Sequence, residues 1–237
     1  GGYTQHLIYN MTTPGFQWDV YEHYRDGIVK SIIEADRNIQ DAKINLHKGE
    51  FDKDAEIAFN RSVSAYNQNP EVEEKISYKN RNLALDRVMK LLRFSHPDGH
   101  PIGSLNWFGV HTTSVSNRCD KVCYDNKGYA AEFMEEWLKE EYGNEKWSAG
   151  FAQDATGDIS PNFIWVPRNR EYRGKYKDDY ESAAYNGRLQ FTKAKEIFEE
   201  SLEKGEEIKG EIDYILAYYD MTNMQISEDY TGGLKNQ

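Results

Sequence analysis

An imidazole follows a short apolar run at His111. The run Asn106-Trp107-Phe108-Gly109-Val110 is typical of a buried strand, and Thr112-Thr113-Ser114 continues it as a polar loop. A strand would fix the direction of the ring, and the loop would leave space for other ligands, so His111 is a candidate metal ligand. The alternative is an ordinary structural histidine, which we expect for the other histidines of the chain and which His111 alone does not exclude.

A serine stands between a glycine-containing turn and a proline in Gly157-Asp158-Ile159-Ser160-Pro161-Asn162. This restricted backbone would hold the Ser160 hydroxyl in a defined position, as a nucleophile requires. The segment lacks the Gly-x-Ser-x-Gly spacing of a nucleophile elbow. The structural alternative is an Asx-type turn in which Asp158 and Ser160 bond nearby backbone amides, and these residues alone favour the turn.

Arg61 is a third candidate, between Asn60 and Ser62 in a polar stretch. A guanidinium can clamp a substrate oxygen through two parallel donors. In a polar loop it is more often a solvated or ion-paired group, and the residues around Arg61 favour that interpretation.

The two cysteines carry less information. Cys119 and Cys123 are four residues apart and lack the second pair of ligands that a structural zinc site needs. A local disulfide and two free thiols are both open, and free thiols are favoured.

Hydrophobic periodicity predicts the elements that must position these candidates. Apolar residues at helical spacing predict amphipathic helices over 18–39, 125–142 and 182–204. The sequence therefore predicts one α/β domain, with a mixed sheet and flanking helices.

Alternating or short apolar runs predict the strands of that sheet. The turn His96-Pro97-Asp98-Gly99 joins two of them. Polar stretches between the elements predict surface loops at 52–82 and 168–179, and 212–226 is expected to be extended. The predicted strands are 42–50, 83–94, 102–111 and 151–154.

Composition excludes some partners. The chain has 40 Asp and Glu against 29 Lys and Arg, a formal charge of −11, which disfavours unassisted binding to nucleic acid or to an anionic membrane surface. No apolar run approaches the roughly 20 residues that span a bilayer, and residues 1–20 do not form a signal peptide. We therefore expect a membrane to matter only as a source of substrate.

Several short sequence motifs are spread along the chain, and three of them contain the candidates Arg61, His111 and Ser160. Their order and wording resemble those of the neutral, non-lysosomal ceramidases, over nearly the whole chain. Several blocks in the right order are far more specific than any one of them. The blocks are Gly1-Gly2-Tyr3-Thr4-Gln5, Leu7-Ile8-Tyr9-Asn10, Asn60-Arg61-Ser62, Gly103-Ser104-Leu105-Asn106-Trp107-Phe108 with His111, Asp125-Asn126-Lys127-Gly128, Gly157 to Asn162, and Asp220-Met221-Thr222-Asn223.

The resemblance implies a zinc-dependent amidase that cleaves the N-acyl bond of ceramide to give sphingosine and a fatty acid. It implies that His111 is a zinc ligand and that Ser160 is a catalytic hydroxyl, either as nucleophile or as assistant to a zinc-bound water. Arg61 would hold the substrate carbonyl or the carboxylate product. Asp158 would orient a ligand or the hydroxyl. Zinc suits a poor electrophile such as an amide, because it polarises the carbonyl and lowers the pKa of bound water to about 7.

The chain also departs from the family pattern. In the family a His-Thr-His block precedes Ser-Gly-Pro-Gly-Gly, and a Glu and a Tyr complete the zinc site beyond the position of Gln237. Thr112 stands where the family usually has glycine after the ligand. We therefore expect residues 1–237 to be the central segment of one ceramidase catalytic domain, inactive alone, with the remaining zinc ligands outside it. The resemblance also implies a secreted or cell-surface protein.

Three functional hypotheses follow. The first is the amidase just described. The second is a non-catalytic lipid- or surface-binding module that keeps the scaffold without a complete zinc site. The third is a metal-independent serine hydrolase that relies on Ser160.

Overall fold

The computed structural model describes residues 16–119, 121–143, 146–225 and 227, so the blocks within 1–10 lie outside the described residues. The mixed sheet with flanking helices is confirmed. In chain order the elements are α1 (Trp18–Arg37), β1 (Lys43–Glu50), β2 (Phe59–Asn60), α2 (Val63–Tyr66), a 3₁₀ helix (Tyr78–Leu83), β3 (Val88–Ser95), β4 (Pro101–Trp107), α3 (Asp125–Tyr142), β5 (Ser148–Ala152), β6 (Ile159–Ser160), β7 (Ile164–Val166), β8 (Glu171–Arg173), α4 (Asp179–Lys204) and β9 (Glu206–Ile208).

The main sheet has five strands in the order β5-β4-β3-β1-β9. Strand β3 pairs antiparallel with β1, from Lys43 opposite Ser95 to Glu50 opposite Val88, and antiparallel with β4 on its other side. Strands β4 and β5 are parallel, so the chain must cross over between them. Residues 108–147 make this crossover, which contains both the loop of His111 and helix α3.

Helices α3 and α4 pack against each other and against the sheet. Alternate residues of β3 are buried, as expected for a strand with one covered face. The core between the sheet and the helices includes large side chains that are almost fully buried, namely Met89, Leu91, Met134, Leu138, Ile197 and Phe198.

The prediction of a surface loop over 52–82 is wrong in its centre. Ile57, Ala58, Phe59 and Asn60 are buried, and the last two form strand β2. This apolar run is too short to stand out within a polar stretch. Buried Arg87 ties both ends of the stretch to the sheet, because its guanidinium donates to the backbone carbonyls at 52, 53 and 82.

Other predictions also differ from the structure. The loop expected over 168–179 contains β8, which pairs with β7. Strand β3 begins at Val88 rather than at 83, and β5 begins at Ser148 rather than at 151. Strand β4 ends at Trp107, short of the predicted 111.

Two apolar segments bury none of their described side chains. The predicted helix α1 is confirmed, but none of its residues is buried. The segment 212–225, predicted as extended, has no helix or strand and is exposed throughout, and residue 226 lies outside the described residues. Among the described helices, none is long and apolar enough to cross a membrane. Cys119 and Cys123 are free thiols, which confirms the favoured alternative.

Candidate active site

A two-stranded ladder brings distant candidates together. Strand β2 pairs antiparallel with β6, so that Phe59 lies opposite Ser160 and Asn60 opposite Ile159. The pairing continues one residue further, where the Arg61 amide donates to the Asp158 carbonyl at 2.9 Å. Arg61, Asp158 and Ser160 are therefore held on two adjacent backbone segments.

His111 joins the same ladder through its backbone. Its amide donates to the Ile159 carbonyl at 3.2 Å. The prediction that His111 ends a strand is wrong, because β4 stops at Trp107. Beyond it Gly109 allows a close approach to the segment after β5, since a Cβ there would lie 2.4 Å from the Ala155 carbonyl oxygen. Loop contacts, rather than a strand, fix the imidazole.

One carbonyl oxygen lies within hydrogen-bonding distance of both Arg61 and His111. Arg61 Nη2 donates to the Gly157 carbonyl at 3.2 Å, and His111 Nε2 lies 3.2 Å from the same oxygen. The two nitrogens are 3.4 Å apart. A carbonyl only accepts and a guanidinium only donates, so Nε2 bonds the Gly157 carbonyl when it carries a proton and accepts from Arg61 when it does not. The turn at Gly157 thus holds a guanidinium and an imidazole side by side.

Ser160 is buried, with 8% of its surface exposed. Its hydroxyl accepts from the Asn162 amide at 3.2 Å, as the turn interpretation expects. Asp158 contributes its backbone carbonyl to the ladder. Among the described residues, the hydroxyl forms no hydrogen bond with Arg61 or His111, so the structure gathers the candidates without joining serine to histidine.

The described residues do not make a zinc site by themselves. They contain no group of three or more His, Cys, Asp or Glu side chains placed to hold a metal ion. His111 is a suitable donor type, but its Nε2 faces a carbonyl and a guanidinium. A structural or catalytic zinc needs three or four protein ligands, so others would have to come from outside the described part.

A groove of about 1090 Å³ lies beside the site. Its wall includes Asn162, which bonds the Ser160 hydroxyl, and Ser114, which follows His111 in the loop, but neither Ser160 nor His111 itself. Asn162 Nδ2 donates to the Thr113 carbonyl, whereas Oδ1 is buried and has no partner within the described part of the chain. The lining mixes apolar and charged side chains, among them Val115, Trp165, Tyr172, Arg118 and Lys177.

Sequence reasoning missed the role of the first residues of α3. Asp125, Asn126 and Lys127 are all buried and bond the loop of His111. Burial lowers the pKa of Lys127 to about 7, against a smaller opposite effect of Asp154. The available signal was the block Asp125-Asn126-Lys127-Gly128, which contributed only to the family resemblance.

A hydroxyl, an imidazole and a guanidinium around one turn are groups that hydrolases use. Residues 1–236 match the family described as "Neutral/alkaline non-lysosomal ceramidase, N-terminal". The chain therefore belongs to this family, which confirms the resemblance.

Individual relatives with similar sequences are also neutral ceramidases. A neutral ceramidase of Pseudomonas aeruginosa is 30% identical over 100% of this chain and 32% of its own length. Neutral ceramidase B of Dictyostelium discoideum is 30% identical over 99% of this chain and 34% of its own, and a rice neutral ceramidase (Oryza sativa subsp. japonica) is 26% identical over 98% and 40%. The chain thus spans less than half the length of these relatives.

The crystal structure of the Pseudomonas aeruginosa enzyme has the same fold over the matched part. Its TM-score is 0.73 at 30% sequence identity, and the match covers 89% of this chain and 30% of that chain. This likeness supports the mixed sheet and its flanking helices as a part of the ceramidase fold.

Proposed function

We propose that the polypeptide carrying this chain hydrolyses the N-acyl amide bond of ceramide, or of a related N-acyl sphingolipid, to sphingosine and a free fatty acid. Family membership supports the reaction. The single observation that carries the site assignment is the Gly157 carbonyl, which holds Arg61 and His111 together on the turn that leads into Ser160.

Each group has a role in this proposal. Arg61 is exposed and presents a planar set of donors, which suits the amide oxygen as it gains charge and the carboxylate product. Ser160 supplies the hydroxyl, as nucleophile or as assistant to a water. Asp158 orients this machinery through its backbone bond to Arg61.

We also propose that the reaction depends on zinc, with His111 as one ligand and the others outside the described residues. Bound zinc would polarise the amide carbonyl and lower the pKa of a coordinated water to about 7. The chain's own contribution is to hold His111 beside Arg61 and to place both at the end of the Ser160 strand. We also propose a secreted or cell-surface location, as the family resemblance implies.

A second candidate function is a non-catalytic lipid- or surface-binding module. One observation favours it: α1 exposes apolar side chains along its length, including Ile28 and Ile32. Exposed apolar patches of this kind mark interaction sites. The net charge of −11 makes a neutral lipid a better partner for this surface than an anionic one.

Product analysis on ceramide separates the hypotheses. Purified polypeptide is incubated with N-acylsphingosine in detergent, with and without a zinc chelator, and sphingosine and fatty acid are quantified. A zinc ceramidase releases both in equal amounts and stops after chelation. A serine hydrolase continues after chelation and is labelled at Ser160 by a fluorophosphonate. A binding module retains ceramide without product, and that result would contradict the proposed reaction.

A further inference from the structure

Helix α3 begins with three consecutive polar residues that are almost fully buried. Asp125 is 5% exposed, Asn126 0% and Lys127 7%. Such residues are rarely buried unless they are bonded. We call Asp125, Asn126 and Lys127 the brace, because each of them bonds the loop 108–115.

Asn126 bonds the loop at its centre. Its Nδ2 donates to the His111 carbonyl at 2.9 Å and to Ser114 Oγ at 3.1 Å. Its Oδ1 accepts from Gln190 on helix α4 at 3.3 Å. The side chain of Asn126 thus connects the backbone of His111 to the helical layer of the core.

The other two residues bond the ends of the loop. At one end, Lys127 Nζ donates to the Phe108 carbonyl at 2.7 Å. At the other, the Asp125 carboxylate accepts from the Ser114 amide at 3.1 Å and from the Val115 amide at 2.8 Å. The brace therefore fixes the backbone on both sides of His111 as well as at His111 itself.

The brace is itself held in an unusual backbone conformation. Asp125 has φ of 49°, which is uncommon for a residue other than glycine and persists only where surrounding contacts maintain it. Helix α4 comes very close at this point, since a Cβ on Gly187 would lie 2.8 Å from the Asn126 carbonyl oxygen. Tertiary packing, rather than local preference, places these residues.

We infer that the brace positions His111 in the active site, so that its three members are positioning residues for the proposed reaction. They act through the loop 108–115, and within the described part of the chain no hydrogen bond or ion pair joins any of them to Arg61 or Ser160. This inference rests on the proposed function for the importance of His111. The fixation of the ring does not depend on which substrate is used.

Two buried asparagines make a matched test. Asn186 resembles Asn126, because its Nδ2 donates to a backbone carbonyl, that of Ile57 at 2.6 Å, and its Oδ1 accepts from Gln190. Asn126→Asp and Asn186→Asp each replace that donor with an acceptor in a buried place at nearly constant volume. Only in Asn126→Asp does a carboxylate oxygen then face the His111 carbonyl, where the two acceptors repel each other.

The measurement is the ¹⁵N spectrum of histidine-labelled full chain, with the His111 signals assigned by their loss in His111→Gln. In wild type we expect one dominant tautomer, because the loop holds Nε2 between the Gly157 carbonyl and the Arg61 guanidinium. In Asn126→Asp the His111 signals shift toward the mixture of tautomers of a free imidazole, whereas in Asn186→Asp they stay in place. Melting temperatures of both variants fall.

Unchanged His111 signals in folded Asn126→Asp would overturn the inference, and so would an equal shift in both variants. If Asn126→Asp does not fold, Lys127→Met decides by the same criterion, since it keeps the buried stem and removes the donor to Phe108. If the ring signals move as expected, while the longer polypeptide that carries this chain and the remaining zinc ligands releases no sphingosine, the inference about the brace stands and the proposed function alone is refuted.

Discussion

Helices α1 and α3 differ in which kind of residue they bury, and each does the opposite of what residue polarity alone would predict. Helix α1 exposes its apolar side chains, with Ile28 59% exposed, whereas α3 buries a carboxylate, an amide and an amine in its first turn. The polar residues of α3 are buried because the loop of His111 supplies partners for them. An apolar stripe therefore predicts a helix and the face that could be buried. Whether that face is buried depends on tertiary contacts.

The largest expected difference between exposed and packed regions is in stability. Phe198→Ala removes a fully buried ring from between α4 and the sheet, and we expect it to lower the free energy of unfolding by about 3 to 5 kcal/mol. Ile28→Ala on α1 should change it by less than about 0.5 kcal/mol. Urea unfolding of both variants measures this, and equal losses would show that α1 is packed in solution.

The active site should respond in activity rather than in stability. Arg61→Lys replaces a planar fork with a point charge, so we expect kcat/KM of the catalytically active polypeptide to fall by roughly 10- to 1000-fold, about 1.4 to 4 kcal/mol. The melting temperature should stay almost constant, because the Arg61 side chain is exposed. Wild-type activity in this variant would remove Arg61 from the site.

The brace should give a pH signature that α1 cannot. Burial lowers the pKa of Lys127 to about 7, whereas the pKa of lysine in an unfolded chain is about 10.4. Between these values the unfolded chain binds one more proton, so this group makes the free energy of unfolding rise by about 1.4 kcal/mol per pH unit. The destabilisation is complete below pH about 7 and absent above about 10.4.

Methionine at position 127 cannot titrate, so the difference in pH dependence between wild type and Lys127→Met is due to Lys127. The ion pair between Lys90 and Asp154 is present in both proteins and cancels. Urea midpoints at pH 7 and pH 9 measure it. Parallel pH dependence in the two proteins would mean that Lys127 stays charged when buried.

Periodicity could predict helices α1, α3 and α4 and strand β1, because each repeats its pattern over enough residues to be distinct. It could not predict α2 or the 3₁₀ helix, which are too short, nor the path of the chain after β4, where Gly109 approaches Ala155, a contact distant in sequence. For the same reason, the meeting of Arg61 and His111 at Gly157 was accessible only through the family resemblance. Nor could the burial of Asn126 be foreseen, because a polar residue at a helix start ordinarily faces water.

The central claim is that the turn carrying Ser160 is an active site, and Ser160→Ala tests it most directly. The variant is compared with Thr113→Ala, which removes an exposed hydroxyl from the neighbouring loop, in the ceramide assay on the catalytically active polypeptide. We predict that Ser160→Ala abolishes release of sphingosine at nearly unchanged melting temperature, and that Thr113→Ala keeps it. Retention of more than about a tenth of wild-type kcat, a barrier change below about 1.4 kcal/mol, would show that Ser160 is only a residue of the turn.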